Sequence, residues 1–208
     1  LKVESMGKET MGMGCHENNI LRSEIHEAAA MGKADFILNA VVNGKGETAA
    51  LFAGELSQAH NQAVEMAKSH YLTLPRPKDK NLVVANAFSK PNEMGIAVLL
   101  GMAALKNVTG TIIVIADSPE GQVPHYLLGR FGKDFGGRQY PVASMPASIN
   151  LIVMTPWPDR TLFDWFANPE AGVIARDWET VLKMVNERHG KGTRAAVLPN
   201  ATMQYFGR

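Results

Sequence analysis

The stretch NLVVANAFSKPNEMGIAVLLGMAAL, residues 81–105, decides the fold of this chain. It begins with an apolar run, breaks at the polar residues Ser89 to Asn92, and continues as an apolar segment with helical spacing. A buried strand followed closely by a helix is the repeating step of α/β proteins. The stretch therefore predicts a polar loop at the carboxyl end of a strand, where such proteins bind their ligands.

The same alternation continues towards the carboxyl terminus. Apolar runs recur in GTIIVIADS, INLIVMT, GVIARD and RAAVLPN, with helical patterns near 122–135 and in WETVLKMVNERHG. This order predicts an α/β fold with a three-layer, largely parallel (Rossmann-like) sheet and helices on both faces. The strand ends that would form a ligand site are 86–92, 117–122, 155–160 and 199–202.

The amino-terminal part follows a different pattern. Residues 1–19 lack any period and are predicted to be an extended or mobile lead-in to one α/β domain, 20–208. Asn19 can cap a helix that ends at Gly32. The turn Gly44-Lys45-Gly46 between two apolar runs predicts a β-hairpin, and a second helix follows before the proline-containing connector TLPRPKDK.

Composition excludes several classes of protein. The chain is 46% hydrophobic and 20% charged with a net charge of +1, which argues against disorder and against binding nucleic acid by phosphate neutralisation. The longest uncharged apolar run, 94–105, is shorter than the roughly 20 residues that span a bilayer, so no membrane association and a cytoplasmic location are expected. Cys15 is the only cysteine and reads as an ordinary free thiol.

The loop ADSPEGQVPH contains Asp117, Ser118, Glu120 and His125 within nine residues. Two carboxylates and an imidazole at a strand end can perform acid/base chemistry or bind a cation. The alternative is structural, because Ser118 followed by Pro119 is also a favourable start for a helix.

Other candidates occupy the neighbouring strand ends. Around Asn86 and Ser89, Lys90 can pair with an anion, and Asn92 either faces a pocket or caps the following helix. Trp157, between two prolines, either walls a pocket or packs a domain edge. The histidines have no metal-ligand spacing and are expected to be solvated or satisfied by partners; they are His16, His26, His60, His70 and His189.

Four segments together carry a resemblance: NNILRSEIHEAA, ADFILNAVVNGKGETAALFAGELSQAHNQAVEMA, GTIIVIADSPEG and AAVLPN. In this order the chain resembles the carboxyl-terminal domain of the nickel-dependent lactate racemase family. The resemblance implies a second, amino-terminal domain as partner and a cleft between the two. It also implies a nickel-pincer nucleotide on a lysine of that other domain, with none bound by this chain alone. The family reaction removes the α-hydrogen of a 2-hydroxy acid as hydride and returns it to either face.

The resemblance also contains a departure. Where the family has a Gln and a Lys that contact substrate, this sequence has Ala97 and Leu100, which can neither hydrogen-bond nor neutralise a carboxylate. The expected substrate is therefore a larger or less polar 2-hydroxy acid, with Lys90 or Lys45 supplying the missing cation. Two alternatives stay open: a non-catalytic binding or assembly module, including a homo-oligomer, and a nucleotide-dependent oxidoreductase, for which no glycine fingerprint is present.

Overall fold

Two compact units make up the chain, Leu1–Leu74 with Gln204–Arg208 and Pro75–Met203. The sequence prediction treated 20–208 as one domain, whereas the boundary between the units lies within the proline-containing connector. No helix among the described residues has the length and apolarity needed to cross a bilayer. The computed structural model describes residues 10, 12–123, 144–159, 162–164, 166–168, 170 and 172–207.

The first unit combines a hairpin with two helices. Its elements are α1 (Ile20–Met31), β1 (Ile37–Val42), β2 (Thr48–Gly54) and α2 (Leu56–Tyr71). The strands β1 and β2 pair antiparallel, as predicted from the glycine turn between them. Gly46 has a φ of +81°, a conformation that glycine adopts without steric cost.

Side-chain hydrogen bonds define the ends of the helices in this unit. Asn19 caps α1 as predicted, because its Oδ1 accepts from the Arg22 backbone N–H at 3.2 Å. Gly32 is the residue at which α1 ends, also as predicted. The α2 helix packs on the hairpin, and the Tyr71 hydroxyl donates to the Val42 carbonyl at 2.9 Å.

The second unit is built on a five-stranded parallel sheet. The strands lie in the order β6-β5-β4-β3-β7, and each neighbouring pair is parallel. The fold class predicted from the apolar runs is therefore confirmed. In chain order the elements are β3 (Leu82–Asn86), a 3-10 helix (Pro91–Glu93), α3 (Met94–Ala104), β4 (Gly110–Ile115), β5 (Ile149–Met154), β6 (Gly172–Ala175), α4 (Trp178–Arg188) and β7 (Ala195–Leu198).

Helices cover both faces of this sheet. Successive residues of a strand point to opposite faces of the sheet, so Ile112 and Ile113 of β4 pack against different helical layers. Ile112 packs against α3, where a Cβ added to Gly101 would lie 3.0 Å from Ile112 Cγ2. Ile113 belongs to a buried cluster with Val181 and Val185 of α4.

The helix predicted near 122–135 falls mainly on residues outside the described part of the chain, and so does His125. The residues described at its start do not form a helix, since 119–120 are a turn and 121–123 have no regular structure. The interpretation of Ser118 as the cap of a helix beginning at Pro119 is therefore wrong.

Candidate functional site

The carboxyl ends of four strands meet at one edge of the sheet in the second unit. β3 lies between β4 and β7, so the chain leaves β3 in one direction and returns on its other side with the last strand. Ligands of open α/β sheets bind at such a reversal of strand order. We call the four loops at this edge the carboxyl edge; they are 87–93, 116–123, 155–159 and 199–203.

Asn200 joins the loops that follow β7 and β3. Its Nδ2 donates to Ser89 Oγ at 2.7 Å, and the Ser89 backbone N–H donates to Asn200 Oδ1 at 3.3 Å. The Ala201 N–H donates to the Asn86 carbonyl at 2.7 Å. Because Asn200 is buried, these bonds hold Ser89 firmly at the reversal point.

Gln122 joins the loops that follow β4 and β3. Its Oε1 accepts from the Met94 N–H at 3.0 Å, and its Nε2 donates to the Pro91 carbonyl at 2.9 Å. The buried Gln122 side chain thus satisfies a backbone donor at the start of α3 from a neighbouring loop. Sequence reasoning included Gln122 in a strand-end segment but missed this role, since its partners lie 28 and 31 positions away.

The prediction that Asn92 caps the helix is wrong. Asn92 lies inside the 3-10 helix, and Glu93 occupies the N-cap position of α3 without a side-chain hydrogen bond to it. The Asn92 carbonyl accepts from the Val123 N–H at 2.8 Å, which adds a second link between these two loops.

Asp117 and Trp157 join the loops that follow β4 and β5. The indole Nε1 of Trp157 donates to Asp117 Oδ1 at 2.8 Å, and both side chains are exposed. The Trp157 N–H also donates to Thr155 Oγ1 at 3.1 Å. The indole is therefore held in place while its ring remains open to solvent, as a wall for a ligand requires.

Ser118 and Glu120 have different surroundings from Asp117. Ser118 is buried, and its Oγ donates to the Gly121 carbonyl at 2.6 Å, so it stabilises the turn. Glu120 is exposed at that turn. The acid/base group predicted from this loop thus reduces, among the described residues, to the exposed carboxylates of Asp117 and Glu120.

Lys90 and Phe88 extend from the loop that follows β3. Lys90 is exposed, and its Nζ lies 3.7 Å from Glu93 Oε1, a loose surface ion pair that a ligand anion can replace. Phe88 is 55% exposed and was missed from sequence, because an aromatic residue just after a buried strand resembles core. Lys45, the other predicted cation, is exposed in the β1–β2 turn of the first unit.

Ala97 and Leu100 do not line an open surface. Their exposed fractions are 0% and 4%, and both belong to the core beneath α3. A residue that contacts substrate has to be reached from solvent, so the burial of these two side chains gives the prediction that they line a cleft no support.

The described residues provide no metal centre. No group of three or more His, Cys, Asp or Glu side chains among them is arranged to hold a metal ion. The carboxyl edge offers instead exposed charges at Lys90, Asp117 and Glu120 beside two accessible aromatic rings. Of these charged side chains, Lys90 can pair with an anion, whereas the two carboxylates repel one.

The structure resembles that of a protein of about twice the length. It is similar to the lactate racemase apoprotein from Thermoanaerobacterium thermosaccharolyticum, with a TM-score of 0.69 and 17% sequence identity. The match covers 99% of this chain and 54% of that chain, so the chain spans about half the length of that protein. No protein-family model matches the sequence, and no curated protein matches it. At this level of identity the likeness establishes the fold.

Proposed function

We propose that this chain is the carboxyl-terminal half of a 2-hydroxy acid racemase or epimerase whose substrate is larger or less polar than lactate. The observation that carries the proposal is the match of almost the whole chain to about half of a lactate racemase. A domain of that kind supplies one wall of a cleft, and the carboxyl edge is the surface suited to be that wall.

The side chains of the carboxyl edge suit the binding step. The Lys90 ammonium can pair with the substrate carboxylate, because its contact with Glu93 is long and its own side chain is about half exposed. Phe88 and Trp157 offer apolar rings to the substituent on the α-carbon. The bonds made by Asn200, Gln122 and Trp157 fix the loops beforehand, which lowers the entropy lost on binding.

The nickel-pincer nucleotide is placed on the other half of the protein in this proposal. The described residues do not fit a metal ion, so no step of the reaction is assigned to a metal on this chain. When bound, the cofactor would accept and return the α-hydrogen. The residues described here would bind the substrate, orient it and exclude water.

Measurement of α-hydrogen exchange tests the proposal. The protein that contains both halves is loaded with nickel and incubated in D₂O with a panel of 2-hydroxy acids that differ in side-chain size. We expect deuterium at the α-carbon and loss of optical purity for acids with a bulky or aromatic substituent. A preparation that contains nickel but exchanges no member of the panel would contradict the proposal.

Substitution of Lys90 tests the role of the carboxyl edge. Loss of a charge-assisted hydrogen bond of about 1.5–3 kcal/mol should raise KM of Lys90→Ala by roughly tenfold to a hundredfold. Lys90→Arg should retain most of the affinity, and Lys183→Ala, on the exposed side of α4, is the matched control. Unchanged KM and kcat in Lys90→Ala would remove Lys90 from the site.

The alternative function is a non-catalytic binding or assembly module, which the burial of Ala97 and Leu100 leaves open. Sizing and mass spectrometry of the purified protein separate the two. A stable oligomer of this chain alone, without a companion half and without exchange activity, favours the module.

A further inference from the structure

Three histidines that are far apart in the sequence lie together in the first unit. His16 precedes α1, His26 is on α1, and His60 is on α2. The ring centroids are 5.0 Å apart for His26 and His60, 5.6 Å for His16 and His60, and 6.5 Å for His16 and His26. Nothing at the carboxyl edge uses these residues, so the cluster requires its own explanation.

Arg22 links two of these rings. Its Nε donates to His26 Nε2 at 3.1 Å, and its Nη2 lies 3.0 Å from His60 Nδ1 and also contacts His60 Nε2. An imidazole nitrogen can accept from a guanidinium only when that nitrogen carries no proton. The hydrogen bond from Arg22 therefore requires that the His26 ring is neutral. The contact of Arg22 with the His60 ring nitrogens favours a neutral His60 for the same reason.

The carboxylates near the cluster are already engaged. Glu17, beside His16, accepts from Lys68 Nζ at 2.9 Å. Glu55, near His26, accepts from the Ser57 and Gln58 backbone N–H groups at the start of α2. Among the described residues, Arg22 therefore has no ion pair with a carboxylate.

His16, the third ring, has no ion pair with a carboxylate within the described part of the chain. His16 Nε2 is buried and has no hydrogen-bond partner among the described residues. The adjacent Cys15 contacts the Met13 carbonyl through its Sγ. A proton added to His26 or His60 would thus face the charge of Arg22, while the Glu55 carboxylate beside His26 is held by the backbone N–H groups of Ser57 and Gln58.

Helix α1 has little apolar attachment to replace the cluster if it is lost. It contributes no fully buried side chain; Leu21 and Ala29 are half-buried, and Ile20, Ile25 and Met31 are exposed, the last by 78%. An element with few buried apolar contacts opens at low cost. Within the cluster, the contact of Arg22 with His60 joins α1 to α2, and it is therefore a large part of what holds the two helices together.

The titration of the rings supports the same conclusion. Burial first, and then the charge of Arg22, lower the pKa of His60 to about 4, and the same causes lower the pKa of His26. Above the unperturbed value of about 6.5, His26 and His60 are neutral whether or not the helix is attached. As pH falls from there towards about 4, the detached state binds protons that the attached state excludes, so attachment is lost.

We propose that Arg22, His26 and His60, with His16 packed beside them, form an acid-sensitive latch, in which protonation of His26 and His60 releases α1 from α2 while α2 and the hairpin stay folded. The change in charge on the rings is the trigger. The helix without buried side chains is the element that moves.

Hydrogen exchange of the whole protein, corrected for the intrinsic effect of pH, tests the latch. Between about pH 7.5 and about pH 5, the amides of Ile20–Met31 should lose protection by about tenfold or more, since the latch couples opening to proton uptake. The amides of α2 and of β3 should keep theirs. Equal protection of α1 at both pH values overturns the proposal.

Variants separate the latch from general acid sensitivity. Gln keeps an acceptor for Arg22 but does not titrate in this range, so the double variant His26→Gln with His60→Gln should protect α1 equally at both pH values. His70→Gln is the matched control, because His70 is exposed on α2 outside the cluster, and it should keep the wild-type response.

Two measurements on the wild-type protein avoid dependence on the folding of that double variant. Titration of the imidazole carbon-bound protons by NMR should give His60 a midpoint well below about 6.5, and a midpoint near that value overturns the latch. Stoichiometric binding of Zn²⁺ at neutral pH that is lost in His60→Gln would show a metal site instead.

Discussion

Asn200 and Ser89 lie 111 positions apart, yet they make reciprocal hydrogen bonds at the reversal point of the sheet. The Asn200 side chain is buried, so water cannot replace the hydrogen bonds that its amide group loses if Ser89 is substituted. A buried donor or acceptor left unsatisfied costs more free energy than the hydrogen bond contributes when it is made. This residue is therefore expected to be among the most sensitive positions of the carboxyl edge.

Replacement of Asn200 by Ala should lower the free energy of unfolding by about 1–3 kcal/mol, because the half-buried Ser89 loses both bonds and the buried Thr202 hydroxyl loses its acceptor. Urea titration of the purified protein measures the change. Asn186→Ala is the control, since Asn186 is exposed on α4 and should shift stability by less than about 0.5 kcal/mol. Equal effects of the two substitutions would show that the link is not formed in solution.

Gly110 is the second position where a single residue determines stability. Gly110 begins β4, and its φ is +143°. A Cβ added to Gly110 would collide with the carbonyl oxygen of Asn81. Strain of this kind costs of order 1–3 kcal/mol in addition to the collision.

Gly110→Ala should therefore destabilise the second unit by at least about 2 kcal/mol. Gly190→Ala is the matched control, since no atom lies within 4 Å of its added Cβ. It should have a small or stabilising effect. Thermal unfolding of both variants checks the comparison, and a stable Gly110→Ala would mean that the turn before β4 adopts another conformation.

At the scale of elements, helices α1 and α3 represent opposite extremes. Seven of the eleven residues of α3 are buried, whereas α1 has none. Long buried contact makes α3 a rigid support for the loop that precedes it, and the lack of contact makes α1 dependent on polar groups. Helix α3 thus stabilises a surface, and α1 can respond to its surroundings.

The elements that sequence patterns predicted correctly are those with local causes. Apolar runs gave the strands of the parallel sheet, the glycines gave the hairpin, and Asn19 gave the start of α1. Each depends on residues within a few positions of one another, so no tertiary information is needed.

The features that were missed depend on distant contacts. Gln122 satisfies the start of α3 from another loop, and Arg22 meets His60 across 38 positions. The histidines showed no ligand spacing in the sequence because they lie on three separate segments that only the fold brings together. The prediction that Ala97 and Leu100 line a cleft was made without knowing their burial, because spacing alone does not show which side of an apolar helix is buried.

At the scale of the whole molecule, the segment near Tyr205 belongs to the first unit although it follows the second in the chain. Tyr205 pairs with Leu72, and its hydroxyl donates to the Lys68 carbonyl at 2.8 Å. Its ring packs on Gly14, whose φ of +76° and missing side chain allow that approach.

Tyr205→Ala should therefore increase hydrogen exchange in α2 without changing exchange in β3, because Tyr205 belongs to the first unit. Val185→Ala, which opens a cavity in the core of the second unit, should have the opposite pattern at a cost of about 1–3 kcal/mol. Mass spectrometry of exchanged peptides distinguishes the two. Equal effects of both variants on both units would show that the units unfold as one.

The position of β7 has a consequence for how the chain is made. β3 pairs with β7 in a register that sets Leu82 opposite Ala195, and Tyr205 then completes the first unit. Segments synthesised early thus wait for partners that leave the ribosome about 110 residues later, several seconds at typical elongation rates. During that interval an apolar strand has one unpaired side, which is an edge open to pairing with another chain.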